Sequence, residues 1–194
     1  MMLDRAACVI HLPLPLSYPA CMNRHRSLAL LIFSLSTASV AAAVATQTLS
    51  SPDHSYSITT PGGWTLRPTI LGADLIINVP GSAGSINLIT CVGQALPQGM
   101  NLGGYVKATL DALPGMMDNV KVTGQNAVTV AGLPARELLF TGTNRSAHRP
   151  VYGQVILIVR GTRGYTLSYL GETPRSNEAS AAVRKSLVSI QFAR

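Results

Sequence analysis

Thr143-Asn144-Arg145-Ser146-Ala147-His148-Arg149 is the stretch of this sequence in which polar groups with chemistry to offer are most crowded. A guanidinium presents a planar fork of donors that suits carboxylates, phosphates and lipid headgroups. Arg145, His148 and Arg149 are therefore the candidate contacts for an acidic partner or an anionic ligand. The plainer reading of the same loop is a solvated hairpin tip whose charge keeps a sheet soluble. Catalysis has thinner support. A hydrolase would pair a Ser nucleophile with His148 as its base, yet no Gly-x-Ser-x-Gly elbow occurs, and His54 and His148 both lie in polar stretches. Asn144-Arg145-Ser146 fits the N-glycosylation pattern, a short motif that chance supplies often and that presupposes a eukaryotic secretory route.

Other chemistries are short of residues. His, Cys and carboxylate positions show no recognised metal-ligand spacing, so no metal and no cofactor are expected. Cys91 sits in an alternating run and reads as a small core residue, because a reactive thiol needs an exposed, electropositive setting. Gly81-Ser82-Ala83-Gly84 and Gly161-Thr162-Arg163-Gly164 lie between strand-like runs and not ahead of helices, which makes them hairpin turns and not phosphate loops. Tyr105, Tyr165 and Tyr169 read as packing residues, and without an aromatic platform no nucleic acid is expected as a partner.

The elements that must position these residues come after a leader. From Met22 the chain reads basic Arg24 and Arg26, an apolar run Leu28–Leu35, then small residues through Ala41-Ala42-Ala43 or Ala43-Val44-Ala45. That order is the n-region, h-region and cleavage site of a secretory signal peptide over residues 22–45, with the mature chain starting near Val44 or Thr46. Residues 1–21, rich in proline, read as an upstream extension with Met22 the true start. Two alternatives stay open: a lipoprotein signal ending at Cys21, and an uncleaved Leu28–Ala45 that anchors the chain in a membrane. Loss of Asp4, Arg5, Arg24 and Arg26 with the leader takes 15 Lys+Arg against 8 Asp+Glu to 12 against 7, which leaves a mildly basic domain. Cys8 and Cys21 go too, so Cys91 has no partner and the fold must rest on its core. With 47% hydrophobic and only 12% charged residues, long disorder is excluded and such a core is available.

Residues 46–54 read as a short polar lead-in to one domain over 55–194. Strands are expected at Tyr56–Thr59, Ala73–Val79, Ser85–Cys91, Val120–Thr123, Ala127–Val130, Ala135–Thr141, Val151–Arg160 and Tyr165–Leu170. Val155–Val159 is almost continuously apolar, which suits a central strand covered on both faces. A helix capped by Asn101 and stopped by Pro114-Gly115 carries Leu102, Tyr105, Val106, Leu110 and Leu113 on one stripe. A second, with Thr173 as cap and Pro174 in its first turn, carries Ala179, Ala182, Val183, Leu187 and Ile190. The reading is α+β: two main helices against a twisted antiparallel sheet of six to eight strands.

The succession Tyr56-Ser57-Ile58, Pro61-Gly62-Gly63-Trp64, a strand pair, a helix, the Val130-to-Glu137 hairpin, a strand ending Gly164-Tyr165-Thr166-Leu167-Ser168-Tyr169 and a helix closing on Ser189-Ile190-Gln191-Phe192 resembles the PsbP-like superfamily of PsbP, DcrB-like and LpqN-type exported proteins. The resemblance implies an α/β/α sandwich and a noncatalytic accessory or ligand-binding role, with no functional residues to carry over. It departs in lacking a lipobox at the favoured cleavage site. The expectation is a periplasmic or secreted binding protein of the cell envelope, docking an unknown protein partner or a small apolar or anionic ligand, with peripheral contact to a membrane surface as a further option. An envelope hydrolase using His148 and a structural envelope subunit are the alternatives.

Overall fold

Alternation along the chain turns into paired strands almost wherever the sequence carries it. The computed structural model describes residues 45–69, 72–81, 85–172 and 177–193, all within one compact unit, Ala42–Arg194. The expected leader, apart from Ala45, and the expected cap Thr173 with Pro174 lie outside those residues. The elements in order are β1 (Thr46–Ser50), β2 (Tyr56–Pro61), β3 (Thr65–Arg67), β4 (Leu75–Asn78), β5 (Asn87–Ala95) and α1 (Leu102–Met116). After them come β6 (Met117–Val130), β7 (Leu133–Asn144), β8 (Arg149–Arg160), β9 (Arg163–Glu172), α2 (Asn177–Leu187) and β10 (Gln191–Phe192).

Seven strands form one antiparallel sheet in the order β3-β4-β5-β9-β8-β7-β6, and β1-β2-β10 form a smaller antiparallel sheet. The large sheet has two apolar faces because successive side chains of a strand point to opposite sides. One face packs Ile77, Ile89, Ile156, Ile158 and Leu167 against Tyr56 and Ile58 of β2, Val183 and Leu187 of α2, and Ile190 beyond it. The other packs Leu138, Phe140, Val155 and Leu157 beneath Tyr105, Val106 and Leu113 of α1. β8 feeds both, so its unbroken apolar run Val155–Ile158 is buried throughout. Each fully buried aliphatic side chain of this kind contributes about 1.5–3 kcal/mol, and Cys91, a free thiol in the first of these clusters, takes part only as a small apolar residue.

The structure departs from the sequence reading in adding β3 and β10, in ending α2 at Leu187 so that Ile190 lies beyond it, and at four further places. Thr46–His54 is no lead-in: it holds β1, paired with β2 from Thr46↔Pro61 to Ser50↔Ser57, with Leu49 against the core. Gly124 does not divide two strands, since β6 is continuous and absorbs the irregularity as register shifts between Asp118 and Lys121 and between Val122 and Gly124. The loop after β8 is two residues and not four, because Arg160 pairs with Arg163 and Gly161 supplies the positive φ of 62° that a tight turn demands. Pro114-Gly115 does not stop α1, which runs on to Met116 with Pro114 inside it. Arg145 supplies the reason: its guanidinium donates from Nη2 to the Pro114 carbonyl at 2.8 Å and from Nη1 to the Gly115 carbonyl at 2.9 Å, satisfying helix-end acceptors from outside.

Candidate ligand-binding groove

Helix α1 starts as the sequence proposes, with the Asn101 side chain accepting from the Gly104 amide at 3.0 Å. It then crosses the sheet over β6, β7 and β8. Because one helix is too narrow to roof seven strands, the β5–β9 part of that face lies open beside it. The residues there follow the ladder register: Leu88 opposite Leu170, Thr90 opposite Ser168, Val92 opposite Thr166. All six are half-buried. Across the same row Ser168 neighbours Val155, which neighbours Leu138, so the sheet passes from hydroxyls in the open to aliphatics under the helix within four strands.

The result is a groove of about 590 Å³ between α1 and this face. Its helix wall is the i, i+4, i+8 stripe Ala108, Ala112 and Met116, all exposed, with Leu113 below them. Leu88, Val92, Met117, Phe140, Val155 and Leu170 add to the apolar lining. The polar groups are few and placed in pairs. Thr90 Oγ1 and Ser168 Oγ are 2.6 Å apart. Tyr105 Oη and Thr166 Oγ1 are 2.6 Å apart, and Gln94 Nε2 donates to Tyr105 Oη at 3.3 Å. Tyr105 reaches this row because Gly164 lies beneath its ring: a Cβ there would come within 2.8 Å of the ring carbons and 2.7 Å of Leu96. Among the described residues no Asp, Glu, Lys, Arg or His lines the groove.

Comparison with known proteins adds to this geometry. No family model matches the chain, and no curated protein does. In three dimensions it is similar to the PsbP (CyanoP) of Synechocystis sp. PCC 6803, with a TM-score of 0.54 at 14% identity over 82% of this chain and 99% of that one. It is similar too to the Ran-binding protein Mog1p of Saccharomyces cerevisiae, with a TM-score of 0.57 at 10% identity over 77% of this chain and 96% of that one. The LpqN of Mycobacterium tuberculosis, described as involved in cell envelope biogenesis, gives 0.52 at 13% identity over 77% and 91%. The fold is the PsbP-like fold. At these identities the likeness speaks for architecture, and the site has to be argued from this chain's own residues.

Within the PsbP-like fold the basic loop lies at the Met116 end of the groove, since Arg145 grips the last turn of α1. Arg145 Nε also meets Asp118 Oδ1 at 2.8 Å, so its guanidinium is occupied by the protein itself. Arg149 pairs with Glu172 at 3.0 Å, and that hydrogen bond leads the causes that hold the Glu172 carboxyl below the usual range. His148 stands exposed in the turn at a φ of 51°, with its amide donating to the Asn144 carbonyl. Among the described residues its imidazole has no hydrogen-bonded serine, the geometry that a Ser–His hydrolase requires. The structure thus brings Arg145 and Arg149 to one end of the molecule but directs each to an internal carboxylate.

Two buried polar clusters lie in the other core. Glu137 receives Asn126 Nδ2 at 3.0 Å, Gln154 Nε2 at 2.9 Å and Arg184 Nε at 2.9 Å, which joins α2 to β7. Burial pushes its carboxyl up, and the three donors outweigh that and hold it below the ordinary value. Tyr56 Oη donates to Asp74 Oδ2 at 2.9 Å, and the Gly93 amide donates to the same oxygen at 2.7 Å. Burial, followed by the negative field of neighbours such as Asp74, drives Tyr56 and Cys91 far above their usual range, so both stay neutral.

Proposed function

We propose that this chain is an exported, noncatalytic binding protein of the cell envelope that holds a small, mostly apolar ligand in the groove between α1 and the β5–β9 face. The observation that carries the reading is the groove itself. Its volume lies within the roughly 300–1,000 Å³ of small-molecule sites, and it joins apolar walls to a few convergent polar groups as such sites do. The leader at residues 22–45 supports export to the periplasm or beyond. No helix among the described residues is long and apolar enough to cross a membrane. The PsbP-like fold, shared with an LpqN involved in cell envelope biogenesis, agrees with an accessory role. Arg145, His148 and Arg149 enter only as the loop beside the Met116 end of the groove, and not as its floor.

The test is uptake of a neutral apolar fluorophore, N-phenylnaphthylamine, by the mature protein and by Ala112→Phe. Ala112 is exposed, so the larger side chain costs the core little and fills the space over the floor. Saturable binding that Ala112→Phe weakens by about tenfold or more is expected. Equal uptake by both proteins would place the fluorophore elsewhere and refute the reading.

A further inference from the structure

The chemistry of the floor narrows the ligand further. Each hydroxyl pair holds two O–H groups and spends one within the pair, so Thr90/Ser168 and Tyr105/Thr166 each keep a donor to offer. Tyr105 is buried and Thr166 half-buried, so Thr166 is the member of that pair nearer the open groove. Thr90, Thr166 and Ser168 are only half-buried, so the spare donors open into the groove. A ligand that brings an acceptor can take up these donors.

It must also be uncharged where it lies. A carboxylate or phosphate laid on this floor would lose its water and find no cation among the described lining residues, whereas a neutral carbonyl is satisfied by a hydroxyl donor at small desolvation cost. The arginines at the groove's end do not alter this, because Arg145 and Arg149 already face Asp118 and Glu172. Resting on the groove reading above, we infer that the occupant is a free, uncharged acyl ester or amide: its chain lies against Leu88, Val92, Leu113 and Met116, and its carbonyl accepts from the Thr90/Ser168 and Thr166 hydroxyls.

Displacement of N-phenylnaphthylamine from the mature protein by monolauroylglycerol and by laurate at neutral pH tests this, since the two share a chain and differ in head group and charge. Monolauroylglycerol is expected to displace the fluorophore at a concentration about tenfold lower than laurate. The double variant Thr90→Val/Ser168→Ala is expected to weaken monolauroylglycerol by about tenfold in direct calorimetric titration, with a wild-type circular dichroism spectrum reporting that the variant is folded. Laurate competing as well as the ester, or the double variant binding the ester unchanged, would overturn the inference and leave the groove reading standing. Fluorophore uptake unaffected by Ala112→Phe would remove the groove reading, and this inference with it.

Discussion

Glu137 shows how one residue in this protein can bind two layers together. Its three donors come from β6, β8 and α2, and they keep the buried carboxyl ionised at neutral pH. Because the folded-state pKa lies below the unfolded one, the stabilisation is complete above the ordinary glutamate value of about 4.3 and is lost as pH falls through the folded value. Asp53, held at about 2 chiefly by hydrogen bonds from Ser55, and Glu172 act in the same direction. Glu137→Gln should therefore cost about 1–2 kcal/mol at pH 7 and flatten, without abolishing, the fall in the urea midpoint between pH 7 and pH 3. An unaltered pH profile would show that the network does not favour the ionised form. Thr60 offers the converse case: it is buried, and its hydroxyl finds no partner among the described residues. Thr60→Val keeps the shape and removes the unpaired group, so thermal denaturation should show a gain of about 1 kcal/mol; a loss would mean that the hydroxyl is satisfied in solution.

At the scale of elements, α1 depends on a residue far along the chain. Arg145 donates to the carbonyls of its last turn, and Arg145→Ala should speed hydrogen exchange at the Met116 and Met117 amides and cost about 1 kcal/mol. Unchanged exchange there would argue that the turn holds itself. The same residue marks what the sequence could and could not tell. The stripe of α1, its Asn101 cap, the β4–β5 and β8–β9 pairings and the inward face of Ile89 and Cys91 all follow from local periodicity, and they stand in the structure. Arg145 could be singled out as a guanidinium, but its task as a helix clamp depends on a contact about thirty positions away that no local pattern announces. β1 was hidden because its neighbours in space, not its polar residues, make it a strand. The groove was anticipated only as a kind of place. Its floor comes from β5 and β9, whose residues pair across as many as 84 positions, from Asn87↔Gly171 inward. The one local signal was Thr166 and Ser168 on a single face of an otherwise apolar strand, which marks a face that is not fully covered.

At the scale of the whole molecule, two unequal coverings explain the architecture. On one face α2 and the small sheet close over the large sheet, and on the other α1 alone, among the described residues, covers what it can. The uncovered remainder is the groove, so ligand binding in this account is a consequence of how many elements the chain devotes to each side. Export belongs to this scale as well: expressed from Met22, the protein recovered from the envelope fraction should have a mass that starts near Val44 or Thr46, and a mass retaining residues 22–43 would point to an anchored form. The account's central claim is tested most directly by native mass spectrometry of that recovered protein beside its Ala112→Phe variant. The wild-type chain is expected to carry a co-purifying neutral small molecule that the variant lacks. A wild-type chain that is empty, or a variant loaded to the same extent, would contradict the claim that the α1 groove is the binding site.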